Sequence, residues 1–498
     1  MSSYLENPFE SLVPDDVNQA LVKRWLSRLK DYRFIIAIRP PSIKMKGKMM
    51  ARKSNKLKMK KVQPLHTLQP DAAGIDVGAC EIYVAVPQDR DDEHVRCFST
   101  FTEDLHNAAK WLKKCGIKSV AMESTGVYWI PIFQILESQG FEVFLVNAHH
   151  VKNVPGRKSD VEDCQWIQYL HSVGLLRGSF RPSQDICSVR SLLRHRANLI
   201  KIASTHVQHI QKSLTQMNVQ IHNVISDITG VTGLAIVDAI IAGQRDLEQL
   251  ADLKDPRIKA SKETIKKSLE GDYRSEHIFT LKQAVQTYRH YWQMIRDCDI
   301  EIEKHLNDFD SRIQPDQPIK PSNKNKPRGN APDFDLRHHM HRILGVDLTL
   351  IDGIDVNIAH TIFTEVGPDL SCFPAPEYFC SWLGLCPSNK ISGGKILSSR
   401  TKPGSNRVAQ ALRMAAQSLL RSQSHLGGFY RRFRARFGAP KAITATAHKL
   451  ARIVYHLIKY QKPFNQSVFV KEQELHKIRL EKNLRKQAKY LGYQLVAA

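Results

Sequence analysis

Apolar residues begin to alternate with polar ones at residue 72, and the period of that alternation then changes along the chain. Ile75 and Val77, then Ile82, Val84 and Val86, then the run from Val95 to Phe101 form three short stretches, separated by Gly78-Ala79 and by the acidic turn Asp89 to Glu93. A period of two broken by turn residues predicts three strands joined as a meander. Next come a helical segment at 104–115, a strand at 119–123, a helix at 127–139, a strand at 141–146 and a helix from 160. Strands separated by helices run parallel, with the helices laid over the sheet.

Beyond Pro182 the period lengthens. Val189, Leu192, Leu193, Leu199, Ile202 and Val207 recur at helical spacing, as do Leu281, Val285, Tyr288, Trp292, Ile295 and Ile302. They predict two long antiparallel helices, at 184–226 and 278–309, a coiled-coil arm over residues 183–310, with a helical region at 230–277 that either caps the arm or packs beside it. Five prolines among Asn and Lys mark 311–337 as a linker. A mainly helical C-terminal domain spans 338–470, with basic amphipathic helices at 406–425 and 441–460. It opens with LTLIDGIDVNIAHTIFTEVG, read as a helix-hairpin-helix whose Gly353 turn approaches a phosphate backbone. A basic helix or tail, 471–498, ends the chain. Residues 1–70 read as a partly disordered basic extension with a short helix near 16–32.

The order of three strands followed by α, β, α, β, α over 71–182 is that of the ribonuclease H-like fold. In such a sheet a carboxylate on the first strand and one at the end of the fourth lie close together. Asp76, inside the apolar stretch AAGIDVG, and Glu123, at the end of the strand in SVAMESTG, hold those two places. Asp160 and Asp163, three apart at a helix start, project from one face and reach the same point. Acids in a first helical turn also favour the helix dipole, and Ser159 with Glu162 forms a capping box, so that pair alone has two readings. All four together predict an oxygen-only site for Mg2+ or Mn2+.

Charge adds a partner. The 498-residue chain carries a net +24. Residues 388–470 hold 16 Lys and Arg with no Asp or Glu, and residues 44–61 hold nine more, also without an acid. Charge so segregated predicts polyanion binding, the polyanion being nucleic acid. Phe429, Tyr430, Phe433 and Phe437 are interleaved with cations, and Lys395, Arg400, Lys402, Arg407, Arg431, Arg432, Arg434 and Arg436 are the candidate contacts. No apolar run approaches the roughly eighteen residues of a membrane span, and the first residues lack a signal-peptide layout, so a soluble intracellular protein is expected. Nine cysteines without a C-x-x-C pair predict reduced thiols. His149-His150 and His338-His339-x-His341 read as ordinary histidines rather than metal ligands.

Five serines, Ser388, Ser392, Ser398, Ser399 and Ser405, lie in the Gly-, Ser- and Lys-rich segment 388–405. Ser392 stands out because Gly393-Gly394 leaves backbone amides open to a phosphate and Lys395 adds charge beside it.

GIDVG, MESTG, GRKSDVEDCQW, LTLIDGID, GLCPSNKISGGKILSSRTKPGSNRVAQALRMAAQSL and GAPKAITATAHKLARIVY occur here in that order. In these the chain, over about 72–465, resembles the DEDD transposases of the insertion sequence 110 family, and within it the 1111 subgroup. The resemblance implies a RuvC-like domain, a coiled-coil arm and a C-terminal transposase domain. It further implies that Asp76, Glu123, Asp160 and Asp163 hold Mg2+ while Ser392 attacks DNA and becomes linked to it. A structured non-coding RNA from the element would pair with donor and target DNA, and homodimers or homotetramers would act in the bacterial cytoplasm, at the nucleoid. Residues 1–70 precede the usual start of such proteins. Two other functions are compatible with the acids and the basic surface: a structure-selective junction endonuclease, and a non-catalytic nucleic-acid-binding regulator of the element.

Overall fold

The computed structural model describes residues 66–147, 160–313, 330–465 and 469–493. The expected basic arm at 44–61, the helix near 16–32, His149-His150 and most of the linker lie outside them.

Five strands form the first sheet: β1 (Ala72–Val77), β2 (Glu81–Ala85), β3 (Val95–Ser99), β4 (Ser119–Glu123) and β5 (Glu142–Val146). Their order is β3-β2-β1-β4-β5. The meander β1-β2-β3 is antiparallel, whereas β1 pairs with β4 and β4 with β5 in parallel. Helices α1 (Thr102–Lys114), α2 (Trp129–Ser138) and α3 (Asp160–Ser172) follow β3, β4 and β5 in turn. This is the mixed sheet with flanking helices expected of the ribonuclease H-like order.

Period two sorts the side chains. Ala73, Ile75 and Val77 of β1 and Val120 and Met122 of β4 face one way, into a core closed by Leu105, Ala108 and Leu112 of α1 and by Ile132 and Leu136 of α2. Gly74 and Asp76, with Ala121 and Glu123, face the other way, towards α3. Gly74 has a specific duty there. A Cβ on it would lie 2.3 Å from the backbone nitrogen of Gln168 and 2.4 Å from the carbonyl oxygen of Cys164, so α3 packs backbone to backbone on β1. Gln168 Nε2 donates to the Ala72 carbonyl (3.2 Å) and Ser119 Oγ bonds His171 Nε2 (2.7 Å), pinning the helix along its length.

Two helices of 33 residues each follow, α4 (Gln184–Gln216) and, later, α9 (Ser275–Asn307). Between them run α5 (Ile221–Val224), α6 (Val231–Ile241), α7 (Leu247–Asp252) and α8 (Lys262–Leu269). Arg196 pairs with Asp299, Ser213 with Thr280 and Cys298 with the Leu192 carbonyl, so α4 and α9 are antiparallel over about 50 Å. The short helices close the far end around Ile210, Leu214, Ile236, Leu250 and Leu281. At the near end Ile186, Val189, Ile302 and Leu306 belong to the same core as the C-terminal helices.

That region comprises α10 (Leu336–Leu344), α11 (Val356–Val366), α12 (Pro376–Trp382), β6 (Lys390–Ser392), β7 (Lys395–Ser398), α13 (Arg407–Ser418), α14 (His425–Phe437), α15 (Ala439–Tyr460) and α16 (Val470–Tyr490). Two expectations change here. The first helix of the expected helix-hairpin-helix is only a three-residue 3-10 turn, Leu348–Leu350. Gly353 (φ +90°) packs inward, its missing Cβ direction filled by the Ala415 carbonyl and Leu419, which makes this turn a core joint. Secondly, the expected helix at 406–425 stops at residue 418 and continues as a 3-10 turn to Arg421, and the basic aromatic stretch after it is the separate helix α14. Ser424 caps α14, and Gly438 (φ +82°) followed by Pro440 divides it from α15.

Candidate active site

Asp76 and Glu123 sit one residue beyond the paired Ile75 and Met122 on adjacent parallel strands, and thus on one face at the carboxyl ends of β1 and β4. Glu123 is buried, and its Oε1 accepts a hydrogen bond from Thr125 Oγ1 (3.1 Å). Asp76 is half-buried. Asp160 and Asp163 open α3, which the Gly74 contact holds against this same face. The electrostatics of Asp76 reflect both its burial and its acidic neighbours. Burial, followed by the charges of Glu123, Asp160 and Asp163, pushes the Asp76 carboxyl up to about 6. Burial and the charge of Asp76 likewise push the Cys164 thiol up to about 12.

Three carboxylates close enough to raise the proton affinity of a fourth suit a divalent cation, which removes the repulsion without adding a proton. Their all-oxygen chemistry fits Mg2+ or Mn2+. Among the described residues no three His, Cys, Asp or Glu side chains are closed around one point, so the acids share a face without forming a finished cage. The histidines at 338, 339 and 341 lie on α10, where burial lowers the proton affinity of His339 and His341.

Ser392 lies elsewhere. It ends β6 directly opposite Lys395 of β7, and Gly393 (φ +53°) and Gly394 (φ +75°) make the two-residue turn between them. Both positive angles are those of a type I′ hairpin, so a segment expected to be a loop is a two-stranded ribbon. Two apolar-centred runs split by Gly-Gly, KIS and KIL, are the signal for it. The whole tip is exposed, including Ser392, Lys395 and the cross-strand pair Ile391 and Ile396. Among the other serines, Ser388 extends the ribbon by donating its N–H to the Arg400 carbonyl (2.8 Å), and Ser398 Oγ accepts from the Arg400 N–H (3.4 Å). The structure thus sets Asp76 and Glu123 on one face of the sheet with α3 and its two acids packed against that face, and carries Ser392 on an element that pairs only with itself among the described residues.

The basic candidates divide similarly. Lys395, Arg400, Lys402, Arg432, Arg434 and Arg436 are exposed. Arg407 reaches towards Glu365 (4.0 Å), which Arg194 also holds (2.8 Å). Arg431 instead turns inward to the carbonyls of Leu420 and Ser422, closing the turn before α14. Tyr430 is buried in the core, leaving Phe429, Phe433 and Phe437 as the aromatic stripe.

Two family models match the chain. Residues 73–219 match a transposase model of the DEDD type of IS110, which takes in all four acids. Residues 347–431 match the model of the transposase IS116/IS110/IS902 family, which takes in the hairpin and Ser392. No curated protein matches the chain.

Proposed function

We propose that this chain, which belongs to the IS110/IS116/IS902 family of transposases, cuts and rejoins DNA strands through a serine-linked intermediate. The observation that carries the reading is the pair of matched segments: one contains Asp76, Glu123, Asp160 and Asp163, which share a face of a ribonuclease H-like sheet and its packed helix, and the other contains an exposed serine beside a lysine. On this reading Asp76, Glu123, Asp160 and Asp163 hold Mg2+, or Mn2+, which when bound neutralises charge at the scissile phosphate. Lys395 and the open amides of Gly393 and Gly394 steady that phosphate next to Ser392. The Ser392 oxygen forms a bond to phosphorus as the bond to a sugar oxygen breaks, the serine proton passing by way of a phosphate oxygen to the departing sugar oxygen, which leaves as a hydroxyl. Because the phosphoester energy is kept in the serine link, a second sugar hydroxyl can displace the serine and rejoin the strand.

The antiparallel α4/α9 pair serves as the coiled-coil arm between the two halves. A structured non-coding RNA supplies sequence specificity by base pairing, in keeping with a basic surface that offers no base-reading motif. The test is recombination with RNA, donor DNA, target DNA and Mg2+. Asp76→Asn and Ser392→Ala should each abolish strand joining, and a protein–DNA adduct should form in the wild type but not in Ser392→Ala.

One observation favours a second reading. Since the four acids belong to one sheet and its packed helix while Ser392 belongs to a separate ribbon, the acids suit a junction endonuclease that uses water. Cleavage that persists in Ser392→Ala without any adduct would establish that alternative.

A further inference from the structure

A groove of about 1340 Å3 runs along the C-terminal region, walled by the base of the β6–β7 ribbon on one side and by α14 and α15 on the other. Phe429 and Phe433 line it, their ring centroids 5.1 Å apart and tilted by 32°. Arg400, Lys441, Lys449 and Arg452 line it too. Lys449 Nζ stands 4.9 Å over the Phe429 ring, and the acidic partner of Arg452 is Glu377, 3.6 Å away at the rim. The segment 388–470, which supplies nearly all of the wall, contains no Asp or Glu.

We propose that this groove holds an unpaired DNA strand, with bases stacked on Phe429 and Phe433 and phosphates on Arg400, Lys441 and Arg452. The volume exceeds the roughly 300–1,000 Å3 of a small-molecule pocket, which points to a polymer. Four Lys and Arg side chains line the groove against Glu377 at its rim, an excess of positive charge that selects a polyanion. Half-buried aromatic rings add what a duplex cannot use, because paired bases hide their faces in their own stack, whereas an unpaired strand offers every face. DNA rather than RNA follows from position: Ser398, Ser399 and Arg400 form the groove edge and continue directly from the ribbon that presents Ser392. This last step rests on the reading of Ser392 as the attacking residue. The groove then leads the strand adjoining the scissile phosphate away from that serine.

Fluorescence anisotropy of the full-length chain with a labelled single-stranded DNA, the matching duplex and the same sequence as single-stranded RNA tests this. Phe429→Leu combined with Phe433→Leu keeps the apolar character and removes the rings. It should weaken single-stranded DNA binding about ten- to a hundredfold, leave duplex binding within about twofold and leave the salt slope unchanged. Lys441→Gln, at an exposed position, should lower the slope by about 0.7 for the lost phosphate while leaving the melting temperature unchanged. Equal weakening of single strand and duplex, or no weakening, overturns the proposal, and so does tighter binding of the RNA strand with loss in the Phe pair. Trapping serine-linked adducts in parallel separates the two readings. Normal adducts with unaltered strand binding in the Phe pair overturn the groove alone. Ring-dependent strand binding in a wild type that never forms an adduct supports the groove and overturns the role of Ser392.

Discussion

Asp76 occupies a position that costs the folded chain stability unless something offsets it. Its carboxyl is carried on a central strand, faces three other acids and is half-buried, and these together lift it from 3.8 to about 6. A carboxyl raised on folding binds protons more tightly in the folded state. Its penalty is therefore absent below 3.8, grows as pH rises towards 6 and is fully present above that. Asp76→Asn should consequently raise the melting temperature of the metal-free protein at pH 7.5, by roughly 1 kcal/mol of stability once solvent screening is discounted, and have no effect near pH 3.8. Mg2+ should raise the melting temperature of the wild type and much less that of the variant, and equal responses to Mg2+ would remove Asp76 from the ligand set. This residue was legible in the sequence because an Asp set among the apolar residues of AAGIDVG is carried into the interior with its strand, where a carboxylate needs a partner. Arg431 was not: nothing in RRFRAR marks one arginine of four as a structural cap for the carbonyls of Leu420 and Ser422.

Among the secondary elements, α3 carries the most consequence, since it delivers two of the four acids. What fixes it is a missing side chain: Gly74 lets the backbones of α3 and β1 touch, at a spacing that no Cβ tolerates. Gly74→Val should lift α3 off the sheet, costing about 1–3 kcal/mol as overpacking does, and should withdraw Asp160 and Asp163 from Asp76. Thermal melting measures the first effect and Mg2+ titration the second. A variant that melts like the wild type and binds Mg2+ normally would show that α3 is held by other contacts. Period two and period 3.6 made the strands and the second long helix readable to within a few residues, because burial of one face dictates both, whereas the first long helix, expected to run to 226, ends at Gln216 before Asn218 (φ +55°) turns the chain. The β6–β7 ribbon escaped that logic. Both of its faces are exposed, so no alternation of burial marks it, and only the Gly-Gly turn does. The hairpin at Gly353 failed for the opposite reason: its sequence fits a phosphate-binding turn, but the turn is packed against Leu419.

Across the whole molecule the proposed chemistry requires Ser392 to meet acids carried by a different layer of the chain. The acids lie at the ends of β1 and β4 and at the start of α3, and the serine at the tip of an exposed ribbon in the C-terminal region, beyond the long α4/α9 pair. On the proposed reading, a ribbon with an exposed Ile391–Ile396 pair and, among the described residues, no third strand beside it could serve either its own chain's acids or those of a second copy. Service in trans can be separated from closure within one chain by mixing the two variants expected to be inactive, Asp76→Asn and Ser392→Ala, in equal amounts before assembly. If each site draws its acids from one copy and its serine from the other, half of the assemblies are mixed and half of their sites are intact. Strand joining should then return to about a quarter of the wild-type level for a two-fold assembly. If each chain completes its own site, every site lacks one essential group and no joining returns. The readout is joined DNA after subunit exchange, with the fraction of mixed assemblies measured by differently tagged chains. Recovery that scales with that fraction would place the serine in trans, and its absence despite verified mixing would place it in cis.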